Sequence, residues 1–204
     1  DFPGIAREAL EKKEGVFQVY FTACGGEVLV GKYNDGTPAV QKEFAERLLA
    51  GMAAAIASTR LAPAESILWR SADLKLPLYA PPGRTLAENR ARIADGKLDA
   101  AKRIDAAMRL AFADRIAQPL PMTSLQIGRV HILDLSGECL VEFQLFAQRS
   151  APGAFVAVAA NADFGPASVC TDKQYEEGGP EVEDANVGPG SEALMKAAIL
   201  KLLG

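Results

Sequence analysis

A chain of 204 residues, 49% hydrophobic and 24% charged, carries enough apolar residues for a core and fits a single domain spanning 1–204. Its formal net charge of -4, with Arg90 and Arg92 offset by Glu88 and Asp95, excludes the clustered basic surface that a nucleic acid requires. No apolar run approaches the roughly 20 residues that span a bilayer, and Cys24, Cys139 and Cys170 form no C-x-x-C pair of the kind that holds structural zinc.

In chain order, the spacing of Ile5, Ala6, Ala9 and Leu10 predicts a helix over 5–14, closed by Gly15. Val16 to Thr22, β-branched and aromatic, reads as a buried strand. A glycine-rich loop with the turn Asn34-Asp-Gly36 follows, then a helix over 39–58 with Phe44, Leu48, Leu49 and Met52 on one stripe. Residues 66–78 alternate as a strand, ended by Pro81-Pro-Gly83. Residues 85–117 are helical in period and broken at Gly96. A strand or hairpin turning near Gly128 covers 125–135, a helix 140–148, and an apolar strand 155–160. Residues 178–190 read as an acidic loop, after which Ser191 caps a final helix ending at Leu203. Apolar strands separated by helices predict an α/β fold, with a mixed or mostly parallel sheet covered by helices on both faces.

The segment from Val130 to Leu140 holds the most chemistry. A buried strand runs into Ser136-Gly137, and Glu138 then stands at the mouth of a helix, beyond a strand's carboxyl end, where α/β sheets bind ligands. Two readings are open: a metal ligand or general base, and a first-turn carboxylate that stabilises the helix, which the spacing alone favours. Cys139 shares the turn, but its only available base is His131, inside the strand, so a buried thiol is the simpler reading. A single histidine cannot build a His-rich metal site.

Several motifs fall in a shared order: Phe21-Thr-Ala-Cys-Gly-Gly-Glu-Val28, Gly31-Lys-Tyr-Asn-Asp-Gly36, Leu135-Ser-Gly-Glu-Cys139, the strand end Ala160-Asn161, Cys170 to Gly179, and Val187-Gly-Pro-Gly-Ser-Glu192. Together they resemble the C-terminal part of the catalytic domain of neutral/alkaline, non-lysosomal ceramidases, with residues 31–36 closest to a bacterial branch. The resemblance implies a zinc amidohydrolase acting on the N-acyl bond of a lipid-like amide, its metal held by two histidines, a glutamate and a tyrosine beside a loop serine. Carried over by position, the glutamate is Glu138. The tyrosine position holds Ser168, with Tyr175 the nearest tyrosine beyond it, and the serine position holds Leu29. The two histidines would lie in an upstream half. A serine hydroxyl is a poorer ligand than tyrosinate, and leucine offers no hydrogen bond.

The resemblance therefore implies a degenerate or incomplete zinc site, inactive in this chain alone. Zinc is the one cofactor implied. The missing upstream half, or a second copy meeting an exposed edge, is the expected partner, so an unpaired strand edge or apolar patch is expected. The chain lacks an initiator Met and the apolar core of a leader, and reads as an excised piece of a protein that the resemblance places outside the cytoplasm. A non-catalytic binding or structural domain on the same fold is the competing reading, and chemistry through Cys139 or Cys170 the third.

Overall fold

A computed structural model describes residues 1–163 and 165–204, which form two compact units, one of residues 1–21 and 29–64, the other of 22–28 and 65–204. In the first unit α1 (Phe2–Glu14) packs against α2 (Pro38–Ser58), the rings of Phe2 and Phe44 meeting edge-on at 5.6 Å. Gly15, in the left-handed region, ends α1 by donating its N–H to Glu11, and the Thr37 side chain caps α2. The run 16–22 departs from its expected strand. Among the described residues it joins no ladder, and Val16, Phe17, Val19, Tyr20 and Phe21 stand exposed. β propensity expresses fitness for a half-buried sheet surface, and among the described residues the run meets the sheet only at Thr22, whose carbonyl accepts from the Ala160 N–H at 2.7 Å.

In the second unit four strands, β1 (Ile67–Leu74), β2 (Leu120–Ile127), β3 (Val130–Ser136) and β5 (Phe155–Ala162), form a sheet in the order β1-β2-β3-β5. The first two pairings are antiparallel and the third parallel, so the sheet of this α/β fold is mixed. The hairpin turns at Gly128, whose positive φ of 55° suits glycine. Helix α5 (Val141–Ser150) makes the crossover from β3 to β5. A two-stranded parallel ladder joins β4 (Glu138–Cys139) to β6 (Ser168–Val169).

The predicted break near Gly96 separates α3 (Leu86–Ala94), opened by a Thr85–Glu88 capping box, from α4 (Ala100–Arg115), capped by Asp99. Two details differ from expectation. The acidic loop contains a short helix, α7 (Pro180–Asp184), after α6 (Asp172–Glu177), because Pro180 supplies a ready first helical residue. Ser191 is not the cap of α8 (Ser191–Leu203). It lies inside the helix behind Gly190, and its hydroxyl donates to the Gly188 carbonyl at 2.7 Å.

The core lies between the sheet and the pair α5/α8. Met122, Leu133 and Leu135 meet Phe143 of α5 and Met195, Ile199 and Leu202 of α8, all fully buried. Each such side chain contributes about 1.5–3 kcal/mol of transfer free energy. On the opposite face the register lines up Trp69, Leu125, Ile132 and Ala157, and beside them Ile67, Ile127, Val130 and Phe155. Here Trp69, Ile67 and Phe155 are 65%, 70% and 68% exposed. This face is apolar yet only partly covered.

His131 occupies the core side, 6% exposed, and its Nδ1 has no protein partner among the described residues. Burial, reinforced by the Arg70 charge, holds its pKa below the ordinary 6.5. A folded pKa below the unfolded one means that the unfolded chain takes up the proton more readily, so stability is full above pH 6.5 and falls as pH drops toward the folded value. Urea titrations at pH 7.5 and 5.5 are expected to show this loss in the wild type and a smaller one in His131→Leu.

Candidate active site

The turn between β3 and α5 is built on close backbone approaches that only glycine permits. Gly137 has φ 90°, and a Cβ there would sit 2.6 Å from the Pro166 carbonyl oxygen. A Cβ on Gly165 would lie 2.3 Å from the Gly137 nitrogen. Gly26 comes almost as near, its virtual Cβ 3.0 Å from the Glu138 carbonyl oxygen. Two strand ends and the glycine-rich loop 22–28 thus meet within van der Waals distance.

Hydrogen bonds fix the same crossing. The N–H groups of Gly25 and Gly26 donate to the Cys139 carbonyl at 3.0 and 3.1 Å, Glu138 N–H to that of Ala167 at 3.0 Å, and Asn161 N–H to that of Gly137 at 2.9 Å. Glu27 accepts from the Val141 N–H at 3.0 Å through both carboxylate oxygens. The carboxylate on the α5 N-terminus is therefore Glu27, and Glu138 is not the helix-capping residue that its spacing suggested. Glu138 precedes the helix by three residues, held in β4, because Leu140 takes the N-cap position.

Glu138 instead lines a cleft of about 580 Å³. One wall is a face of α4 formed by Met108, Ala111, Phe112 and Arg115; the other is Gly165, Pro166 and Ala167, with Gly137, Asn161 and Asn186 completing it. An apolar cleft with a few converging polar groups is the usual form of a small-molecule site. Arg109 braces it from behind: its guanidinium pairs with Asp105 at 3.1 Å and donates to the Asn186 side chain at 3.3 Å and the Glu183 carbonyl at 2.9 Å. Asn161 and Asn186 escaped sequence reasoning as cleft residues, and so did Arg115. The signals for them were the strand end at Asn161, with its positive φ of 63°, and the i, i+3, i+4, i+7 spacing of the α4 face.

The other expected residues fare differently. Ser168 pairs directly with Glu138 across the β4–β6 ladder, yet it is 2% exposed and does not line the cleft. Leu29 is exposed in the first unit. Tyr175 is committed to structure, its hydroxyl bonded to the Val187 carbonyl and its ring edge-on to Tyr79, and burial drives its pKa upward. Cys139 is fully buried, its thiol directed at the Ser136 carbonyl, and a hydrogen bond with Cys24, then burial, raises its pKa well above the ordinary value. Burial likewise lifts Cys170 to about 11. Neither is an activated nucleophile. Among the described residues no three His, Cys, Asp or Glu side chains converge as a metal cluster.

No family model matches this sequence, and no curated protein matches it either. By structure the whole chain superposes on 40% of the neutral ceramidase from Pseudomonas aeruginosa, with a TM-score of 0.67 and 15% identity, and on 41% of a ceramidase complexed with C2, with 0.69 and 15%. The likeness is one of fold, and the chain spans about two fifths of the length of either neighbour.

Replacing Gly137 with alanine is expected to cost at least about 1–3 kcal/mol from the positive φ alone, since the new methyl also meets Pro166. Gly96→Ala, where φ is ordinary and no atom lies within 4 Å, is expected to stay within about 0.5 kcal/mol of the wild type. Equilibrium urea unfolding measures both.

Proposed function

We propose that this chain forms part of an amidohydrolase of the ceramidase type, acting on the N-acyl bond of a lipid-like amide in the cleft lined by Glu138. The observation that carries this reading is the release of Glu138 from structural duty. Its backbone is clamped from several sides, Glu27 caps the helix in its place, and its carboxylate is left to an apolar cleft. The fold shared with two ceramidase structures supports the reaction class.

Zinc, the cofactor of the resemblance, does not fit the donors of this chain alone. Glu138 is a single carboxylate, the buried Ser168 is a poor substitute for a phenolate, and a catalytic zinc site wants three protein ligands. In this reading the remaining donors come from further polypeptide, and Glu138 contributes one. That polypeptide also supplies cover for the open sheet face around Trp69. The chain corresponds to 40% of its structural neighbour's length, which leaves ample chain for such a layer. A second copy of this chain is the alternative occupant, and sedimentation of the isolated chain separates the two, since a monomer excludes it.

Ser168 and Leu29, standing where the resemblance has a tyrosine and a serine, support a second reading, a binding module that keeps the cleft and has lost the chemistry. The test is fatty-acid release from a long-chain N-acyl amide by the complete, zinc-replete protein. Turnover that falls roughly 10²-fold or more in Glu138→Gln is expected, the scale on which a lost acid–base or ligand group acts. Turnover unchanged in the variant would remove Glu138 from the chemistry, and an inert wild type would favour the binding module.

A further inference from the structure

Of the three arginines of helix α4, Arg109 and Arg115 have opposite fates. Arg109 is spent on structure, paired with Asp105 and bound to the segment 183–186. Arg115, six residues on, is half-buried in the cleft, and among the described residues its guanidinium makes two hydrogen bonds, contacts of 3.5 Å with the carbonyls of Gln118 and Pro119, at the outer limit for such bonds. No ion pair joins it to a carboxylate among the described residues. A guanidinium is always charged and presents a planar fork of donors, so one left unneutralised beside an apolar wall is a ready carboxylate receptor.

The wall supplies the rest of the ligand's description. Met108, Ala111 and Phe112 share the α4 face with Arg115 and stand across from Pro166 and Ala167. Met108 to Arg115 covers seven residues, about 10 Å along the helix axis, so the apolar stretch leads lengthwise to the charge. We infer that the cleft binds a long-chain acyl compound bearing a carboxylate, with the chain against the α4 wall and the carboxylate on Arg115. For the hydrolase reading, on which this assignment of substrate rests, the head group released is then an amino acid rather than a neutral amino alcohol.

Binding by calorimetry, below micellar concentrations, tests this without turnover, using N-lauroylglycine, laurate and N-lauroylethanolamine on the complete protein. N-Lauroylglycine, laurate or both are expected to bind at least tenfold more tightly than the ethanolamide. Arg115→Gln should erase that preference and Arg115→Lys retain part of it, which also controls for misfolding in the first variant. A stronger response to the glycine conjugate upholds an amino-acid head group, and a stronger response to laurate overturns that head group and leaves Arg115 as the receptor of a fatty-acid product. Equal binding of the ethanolamide, or a preference that survives Arg115→Gln, would overturn the inference. Selectivity through Arg115 in a protein whose turnover ignores Glu138→Gln would keep this site and sink the hydrolase reading. Turnover that depends on Glu138 with no head-group preference would do the reverse.

Discussion

The second unit depends on one close contact, the crossing of Gly137 over the Gly165–Pro166 segment. A β-carbon on either glycine would collide with backbone atoms. Because the chain passes there with no side chain between, β4 can leave the main sheet, pair with β6 and turn into α5 within five residues. The side of the cleft opposite α4 inherits its position from this contact. Glu138 follows Gly137 directly, Pro166 and Ala167 form the facing wall, and Asn161 is tied to the Gly137 carbonyl. The glycine-rich loop closes the arrangement by donating two N–H groups to Cys139 and lending Glu27 to the helix.

Two glutamates thus divide between the helix terminus and the cleft. A helix N-terminus attracts a carboxylate, and Glu27 answers that demand from a different part of the chain. Glu138 is then free of any stabilising task that would explain its place. The same contrast recurs on α4, where Arg109 holds the wall together and Arg115 faces the cleft. On the far side of the sheet, two rows of apolar side chains stand without full cover.

Much of the fold was legible because local signals agreed with tertiary demands. The break at Gly96, the hairpin at Gly128 and the crossover through α5 follow from turn residues and periodicity. Residues 16–22 misled because their composition describes a strand and says nothing about whether a partner strand exists. The apolar strands that predict two covered faces carry the required side chains, and in this chain Trp69 and Phe155 show the second face in need of cover. Glu138 was legible as a position at a strand's carboxyl end, whereas its role was not. Excluding Glu138 as the cap required Glu27, 111 residues earlier and brought close only by the fold. The cleft's other polar groups stayed hidden for the same reason, Arg115 coming from α4, Asn161 from the end of β5 and Asn186 from the loop before α8.

The account turns on Glu138 being a site residue and Glu27 a structural one, and equilibrium unfolding of Glu27→Gln and Glu138→Gln side by side tests this most directly. Removing the charge that Glu27 sets on the helix N-terminus costs about 0.3–2 kcal/mol, so Glu27→Gln should fall in that range. Glu138→Gln should remain within about 0.5 kcal/mol of the wild type, as a substitution free of structural duty does. A Glu138→Gln protein destabilised as much as Glu27→Gln, or more, would contradict the account and return Glu138 to the scaffold.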